Sequence, residues 1–320
     1  MTIIATKPEP SAPEGSPQQR SSRQRSPRQI TWARRRDALL NFWRQFRHHR
    51  AGMIGLGFLV LVALIAILAP VIAPVQMLDV TKLVDQERFA PPSWEHLLGT
   101  DHQGRELWVR MVWGARVSLL VGLAATAMSM LIGTLVGIAA GHFTGFTGSV
   151  LMRGIDFFLV LPALILAIVL SSVLSRGVLT IIIAIGLTSW AGTARVVRSQ
   201  TLTVESRDYI ERSRALGAGH WHIIVKHLLP GVLPLVLANT TLTVGSAIIA
   251  ESTLSFLGLG DPTVQSWGSI LKNSMDVSAA TSGYWWYVLT PGIAIVLVVL
   301  AFTLMGRAVE NIVNPTLRSR

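Results

Sequence analysis

The amino-acid sequence predicts an all-α integral membrane protein with six transmembrane helices and a two-helix cytoplasmic loop. Hydrophobic residues make up 51% of the chain and charged residues only 14%, whereas an ordinary soluble domain carries about 25% charged residues. The stretches 51–78, 117–152 and 277–306 contain no Asp, Glu, Lys or Arg. Such stretches are typical of transmembrane helices, which need about 20 apolar residues to cross a bilayer.

Six segments are apolar enough to span the membrane. We place them at 51–73, 117–140, 156–175, 177–195, 231–250 and 286–306. The first span stands apart, and the other five form a predicted core over 117–306 that includes a loop at 196–230. A segment at 74–116 connects the first span to this core, and a short tail follows at 307–320.

The N-terminal region has two parts of different composition. Residues 1–30 are rich in Pro, Ser, Gln and Arg, which predicts a disordered basic arm because so few apolar groups cannot offset the entropy of ordering. Residues 31–50 are basic and aromatic. This pattern fits either a nucleic-acid-binding patch or a helix on the membrane surface. The span that follows directly favours the membrane-surface helix.

Arginine and lysine are concentrated on one side of the predicted spans. The first 50 residues and the 196–230 loop are rich in them, whereas 251–285 contains only Lys272. Because basic residues remain in the cytoplasm, both termini and the 196–230 loop are predicted to be cytoplasmic. The segments 74–116 and 251–285 are then external.

Several classes of chemistry are excluded by the residues present. The chain has no cysteine, and none of its four lysines follows a glycine, so thiol chemistry and a phosphate-binding P-loop are absent. We therefore predict no catalytic site, no metal and no cofactor. Glu251 lies at the outer end of the fifth predicted span, where it either faces a translocation path or reaches the membrane surface.

The segment 206–231 predicts two short helices separated by a break. Asp208 and Glu211 have the spacing of an N-terminal capping box, and Gly217 fits a helix stop. A second helix is predicted from His220 to Leu229, before Pro230 starts the fifth span. Its apolar face is predicted to comprise Trp221, Ile224, Val225 and Leu228. A structured pair of helices in a loop is typical of a docking element for a partner, and the nearby histidines are predicted to be surface residues.

This segment resembles the EAA loop of bacterial ABC importer permeases. Glu211, Gly217, Leu229 and Pro230 match the family pattern in register, whereas Arg212 and Ser213 replace its two alanines, and His227 stands where the general pattern has Ile. The sequences 96–105, 114–122 and 255–260 resemble the dipeptide/oligopeptide branch, specifically its second, C-type permease subunit.

The resemblance implies a permease that works without an ATPase site of its own. Its implied partners are a second homologous permease, two cytoplasmic ATPases and an external substrate-binding protein, all at a bacterial inner (plasma) membrane. The implied cargo is short peptides, with nickel or another small solute as an alternative. A proton-coupled carrier is the rival function, but the predicted spans contain no carboxylate near their middle. The residues implied in ATPase coupling are Asp208, Tyr209, Glu211, Arg214, Ala215, Leu216 and Gly217.

The predicted orientation can be tested with single cysteines, because the natural chain has none. We expect a membrane-impermeant thiol reagent to label Asp261→Cys and Asp85→Cys in intact cells. Gly219→Cys and Arg34→Cys should stay unlabelled until the membrane is opened. External labelling of Gly219→Cys would reverse the predicted orientation.

Overall fold

The computed structural model describes residues 27–79 and 87–313. Most of the predicted arm, half of the predicted tail and the labelling position Asp85 lie outside the described residues. The chain divides after Arg44 into two units. The first described helix begins at Pro27, inside the predicted arm.

The described residues are helical apart from loops and one isolated β-bridge between Thr100 and Glu106. Their helices are α1 (Pro27–His48), α2 (Arg50–Ile72), α3 (Leu107–His142), α4 (Phe146–Val160), α5 (Ala163–Val173), α6 (Val178–Glu205), α7 (Asp208–Ala215), α8 (His220–Ile223), α9 (Leu229–Phe256), α10 (Trp267–Asp276) and α11 (Trp285–Val313). Five helices of this part are long and apolar enough to cross a membrane, and the bent pair α4 and α5 brings the number to six if it is taken as one span. The predicted fold class is confirmed.

The third span differs from the single helix predicted at 156–175. It consists of α4 and α5, which are bent by 87° at the break between them. Pro162 lies in this break. A proline has no N–H to continue the helical ladder and disfavours a helical conformation in the residue before it. Leu161 accordingly has φ −75° and ψ 130°.

Other boundaries also shifted from the prediction. Helix α3 begins ten residues before the predicted 117, and α6 continues to Glu205 instead of ending at 195. The predicted external segment 251–285 contains α10, which the apolar pattern missed. A capping box between Ser266 and Ser269 starts this helix, and such reciprocal bonds satisfy amides that a helix N-terminus leaves free.

Helices α3 and α6 pack with their backbones close together. A Cβ added at Gly133, Gly137 or Gly141 would lie 2.6–2.7 Å from atoms of α6. The nearest of these atoms include the carbonyl oxygens of Trp190 and Ala194. This small-residue ladder therefore packs inside the subunit, as close helix association in lipid requires.

A group of buried polar residues, which we call the Asp101–Arg110 cluster, joins the 87–106 segment to the helices. Asp101 accepts hydrogen bonds from Arg105 Nε at 2.7 Å and Arg110 Nη1 at 2.8 Å. Arg110 also donates to Tyr287 at 2.9 Å and to Gln265 at 2.8 Å. Burial alone would raise the pKa of Asp101, but the two arginines and two backbone N–H groups hold that pKa below its ordinary value.

We expect Asp101→Asn to destabilise the fold strongly, because it leaves buried arginines without a carboxylate. Breaking such a pair costs about 3–5 kcal/mol of unfolding free energy, which a lower unfolding temperature in detergent would reveal. The control is Asp276→Asn, whose exposed pair with Lys272 contributes at most about 1 kcal/mol. Equal losses would contradict a special role for Asp101.

The contribution of Asp101 has a defined pH dependence. Its folded-state pKa is depressed, so its stabilisation is present above the unfolded-state pKa and is lost as the pH falls through the folded-state value. The difference between the wild type and Asp101→Asn should therefore persist at neutral pH and shrink only in acid.

Candidate functional site

Helix α7 presents almost all of its side chains to solvent. Ile210 is its one buried residue and anchors it to a core formed by residues of α3, α6, α8 and α9. The predicted coupling residues lie together on the exposed side of α7 and the turn that follows: Asp208, Tyr209, Glu211, Arg214, Ala215, Leu216 and Gly217. Leu216 is 89% exposed, so its apolar side chain is accessible on the turn that follows α7.

The start of α7 differs from the predicted capping box. Arg207 occupies the N-cap position and no side chain caps the helix, so the predicted Asp208–Glu211 box is wrong. Both acids lie in the first turn of the helix. There they favour the helix through its dipole rather than through a capping hydrogen bond.

The end of α7 forms a Schellman motif around Gly217. The Gly217 N–H donates to the Arg214 carbonyl at 2.9 Å, and the Ala218 N–H donates to the Ser213 carbonyl at 3.0 Å. Gly217 has φ +86°, a left-handed conformation that favours glycine. The predicted helix stop at Gly217 is therefore confirmed.

The second predicted helix is continuous with the fifth span. Helix α8 passes through a π-turn at Ile224–Leu228 directly into α9, so Pro230 does not separate two elements. The predicted apolar face is partly wrong, because Trp221 is 77% exposed. Leu228 of the predicted face is buried, and so is Ile223, which the prediction left out. The π-turn brings these two residues, five positions apart, to one side.

A group of ionisable residues, which we call the histidine–carboxylate cluster, connects this loop to the spans. His142 at the end of α3 pairs through Nδ1 with Glu205 at the end of α6. Arg214 of α7 donates to the second oxygen of Glu205 at 2.6 Å. On the other side of the His142 ring, Nε2 lies 2.9 Å from Nδ1 of His220 in α8. Four helices therefore meet at one hydrogen-bonded chain.

The direction of the hydrogen bonds within the histidine–carboxylate cluster follows from its acceptors. An ionised carboxylate only accepts hydrogen bonds, so the Nδ1 of His142 donates to Glu205. When His142 is neutral, its Nε2 then accepts from the Nδ1–H of His220. The sequence pattern did not indicate His142 or Glu205. His220 is exposed, as predicted, but it also bonds to the buried His142. The sequence carries no signal for the pair of His142 and Glu205, because only the packing of α3 against α6 brings these helix ends together.

Glu251 lies inside the protein rather than at the membrane surface. Its side chain is 1% exposed and accepts hydrogen bonds from Ser118 at 2.9 Å, Ser255 at 2.8 Å and Ser252 at 3.3 Å. The alternative of a residue reaching the membrane surface is wrong. The assignment of Glu251 to a translocation path stays a prediction.

Comparison with protein families places the chain among transport permeases. Residues 133–319 match the family described as the binding-protein-dependent transport system inner membrane component. The chain belongs to this family. Residues 39–92 also match the N-terminal transmembrane domain of oligopeptide transport permease C. The predicted resemblance of the chain to the oligopeptide branch of these permeases is thereby confirmed.

Relatives match nearly the whole length of this permease. It is 40% identical over 276 residues to a putative peptide transport system permease protein of Brucella abortus, covering 86% of this chain and 91% of the relative. A dipeptide transport system permease protein of Bacillus subtilis is 36% identical over 277 residues, covering 86% and 85% of the two chains.

A solved structure supports the same fold. It is an inward-facing methionine ABC transporter, and the match has a TM-score of 0.50 at 21% identity over 63% of this chain and 97% of that one.

We expect Glu205→Gln to loosen α7 from the spans, because the neutral amide weakens the pairs with Arg214 and His142. A loss of about 1 kcal/mol would raise the open population of α7 about fivefold. Trypsin should then cleave after Arg212 and Arg214 about fivefold faster in the purified protein. The control is Asp156→Asn, which removes an exposed pair with Arg195 elsewhere. Unchanged cleavage in Glu205→Gln would show that the cluster does not hold α7.

Proposed function

We propose that this chain is one of two permease subunits in an ATP-driven importer for di- and oligopeptides delivered by an external binding protein. The supporting observation is its similarity, over nearly its whole length, to permeases named for peptide transport. In this proposal the loop carrying α7 and both termini face the cytoplasm of a bacterial inner membrane. The Asp101–Arg110 cluster faces the side from which the binding protein delivers cargo.

In this proposal, other subunits supply the energy for transport. The chain has no P-loop lysine, so ATP hydrolysis is assigned to two cytoplasmic ATPases. Helix α7 inserts into a groove on one of them. Its exposed surface offers apolar contacts at Tyr209 and Leu216 beside the charges of Glu211 and Arg214, and interfaces commonly combine such groups.

Two physical connections carry a movement of α7 into the membrane. The first is the histidine–carboxylate cluster, which ties α7 to the ends of α3 and α6. The second is the continuous helical path from α8 through the π-turn into α9. A shift of α7 as the ATPases close therefore acts on three spans at once, which is what switching between outward and inward access requires.

The proposed function is tested by transport in reconstituted vesicles. We expect uptake of radiolabelled dialanine only when this chain, its second permease, both ATPases, the binding protein and ATP are all present. Uptake of nickel but not of any peptide would identify the alternative cargo. Uptake by this chain alone under a proton gradient would favour a carrier and overturn the proposal.

The role of α7 is tested by a pair of glycine substitutions. Gly217→Val forces a β-branched residue into a φ of +86°, whereas Gly219→Val enters an extended conformation at φ −74°. No atom lies within 4 Å of a Cβ at either position, so the two variants differ in backbone strain alone. Strain of this kind costs about 1–3 kcal/mol.

We expect Gly217→Val to reach the membrane at normal levels, to co-purify with less ATPase and to lose most uptake. Gly219→Val should retain both ATPase association and uptake. Normal association and transport in Gly217→Val would remove α7 from the coupling mechanism.

A further inference from the structure

A polar cavity, open on one side, lies apart from α7 and from both ionisable clusters. It has a volume of about 320 Å³ and lies between α3, α6 and α9. Its polar lining consists of Thr126, Ser129, Ser189, Asn239, Thr243 and Ser246. No charged side chain lines it. Its residues lie near the centres of three predicted spans, where water and polar groups are otherwise expensive.

Two hydroxyls at this cavity are buried without a partner. Thr126 and Ser129 are each 1% exposed, and no hydrogen-bonding group of the described chain reaches Thr126 Oγ1 or Ser129 Oγ. A buried polar group left unsatisfied costs about 1–3 kcal/mol. Both residues line the cavity, but their hydroxyl oxygens are enclosed in this conformation, so a guest reaches them only when the helices shift during transport.

The α9 side of the cavity carries a row of polar residues. Asn239, Thr243 and Ser246 have the i, i+4 and i+7 spacing that places them on one face of a helix, and Ser246 is exposed. On the opposite face of α9, the exposed residue Leu237 is apolar. Polar residues at membrane depth face protein or a water-filled cavity rather than lipid.

We propose that this cavity is a subsite of the translocation path that takes the uncharged hydrogen-bonding groups of a passing substrate, such as the amides of a peptide. This inference rests on the proposed transport function. A hydroxyl both donates and accepts hydrogen bonds, so such a lining matches the N–H and C=O of any peptide bond.

The chemistry of the lining suits transit rather than storage. No charge fixes the orientation of the guest, and the hydroxyls do not distinguish one side chain from another. A translocation path must bind its cargo well enough to admit it and weakly enough to release it. Neutral hydroxyls and one amide meet that condition, whereas a buried ion pair with the cargo would hold it.

The first experiment removes one hydroxyl and compares it with a matched position. Thr126→Val keeps the shape of the side chain, and its control is Thr134→Val on the same helix. Thr134 is also buried with an unpaired hydroxyl, but it does not line the cavity. We expect the initial uptake of the transported substrate to fall about fivefold in Thr126→Val and to change less than twofold in Thr134→Val. Equal behaviour of the two variants would overturn the proposal.

The second experiment measures access to the cavity without any substrate. Ser246→Cys and Leu237→Cys are treated, in the full complex, with a charged methanethiosulfonate reagent, with and without ATP. The reagent reacts with a thiolate, which forms in water and not in lipid. We expect Ser246→Cys to react about tenfold faster than Leu237→Cys, and the modified Ser246→Cys complex to lose uptake.

The outcomes separate this inference from the proposed function. If dialanine is not transported but Ser246→Cys reacts as expected, the peptide assignment fails and the water-accessible path stands. If Ser246→Cys stays unreactive in every state of an active complex, or reacts only when the second permease is missing, this face is a subunit interface and the inference fails.

Discussion

The close approach of α3 and α6 is the constraint on which the rest of this permease depends. In lipid there is no hydrophobic force between helices, so their association relies on backbone proximity and packing. Gly133, Gly137 and Gly141 provide that proximity along three turns of α3. The residue after the last of these glycines is His142, which is thereby brought to Glu205 on α6. A methyl group at any of the three positions would separate the helices and also pull this pair apart.

The two ends of α3 are held by ionisable groups of different character. Near its start, the side chains of Arg110 and Asp101 are both fully enclosed, so disrupting that pair exposes a charge to an apolar interior at high cost. Near its end, His142 is enclosed as well and Glu205 is largely buried, but the link from Glu205 to α7 runs through Arg214, which is about half exposed. Exposed pairs exchange partners cheaply. Both ends of α3 are therefore held, whereas the link to α7 can adjust to a change in the position of that helix.

The apolar stretches of the sequence predict which segments span the membrane, because lipid imposes a simple requirement on length and composition. They do not predict where a helix ends. Helix α6 continues past its apolar part to Glu205, since its final turns are stabilised by packing and by polar contacts with other helices. The bend at Pro162 is visible in the sequence as a proline, but its size of 87° depends on tertiary packing.

In the candidate site, too, the sequence predicts the features that depend on local conformation and misses those that depend on tertiary contacts. The sequence pattern located α7 and the left-handed turn at Gly217, because both depend on local conformational preferences. It missed the link between His142 and His220, which are 78 positions apart in the chain. It also missed the polar cavity, because single serines and threonines within an apolar stretch do not reveal which of them face one another.

The unbroken helical path from His220 to Phe256 has a mechanical consequence. It covers 37 residues, which corresponds to a length of about 55 Å at 1.5 Å per residue. Its irregular points, the π-turn at Ile224–Leu228 and Pro234, both lie near the end next to α7. Beyond them the helix acts as a lever arm, and a tilt of about 5° near α7 moves the far end by several ångströms. A small rotation of this helix near α7 thus becomes a larger displacement at Glu251 and at α10, near the other end of the helix.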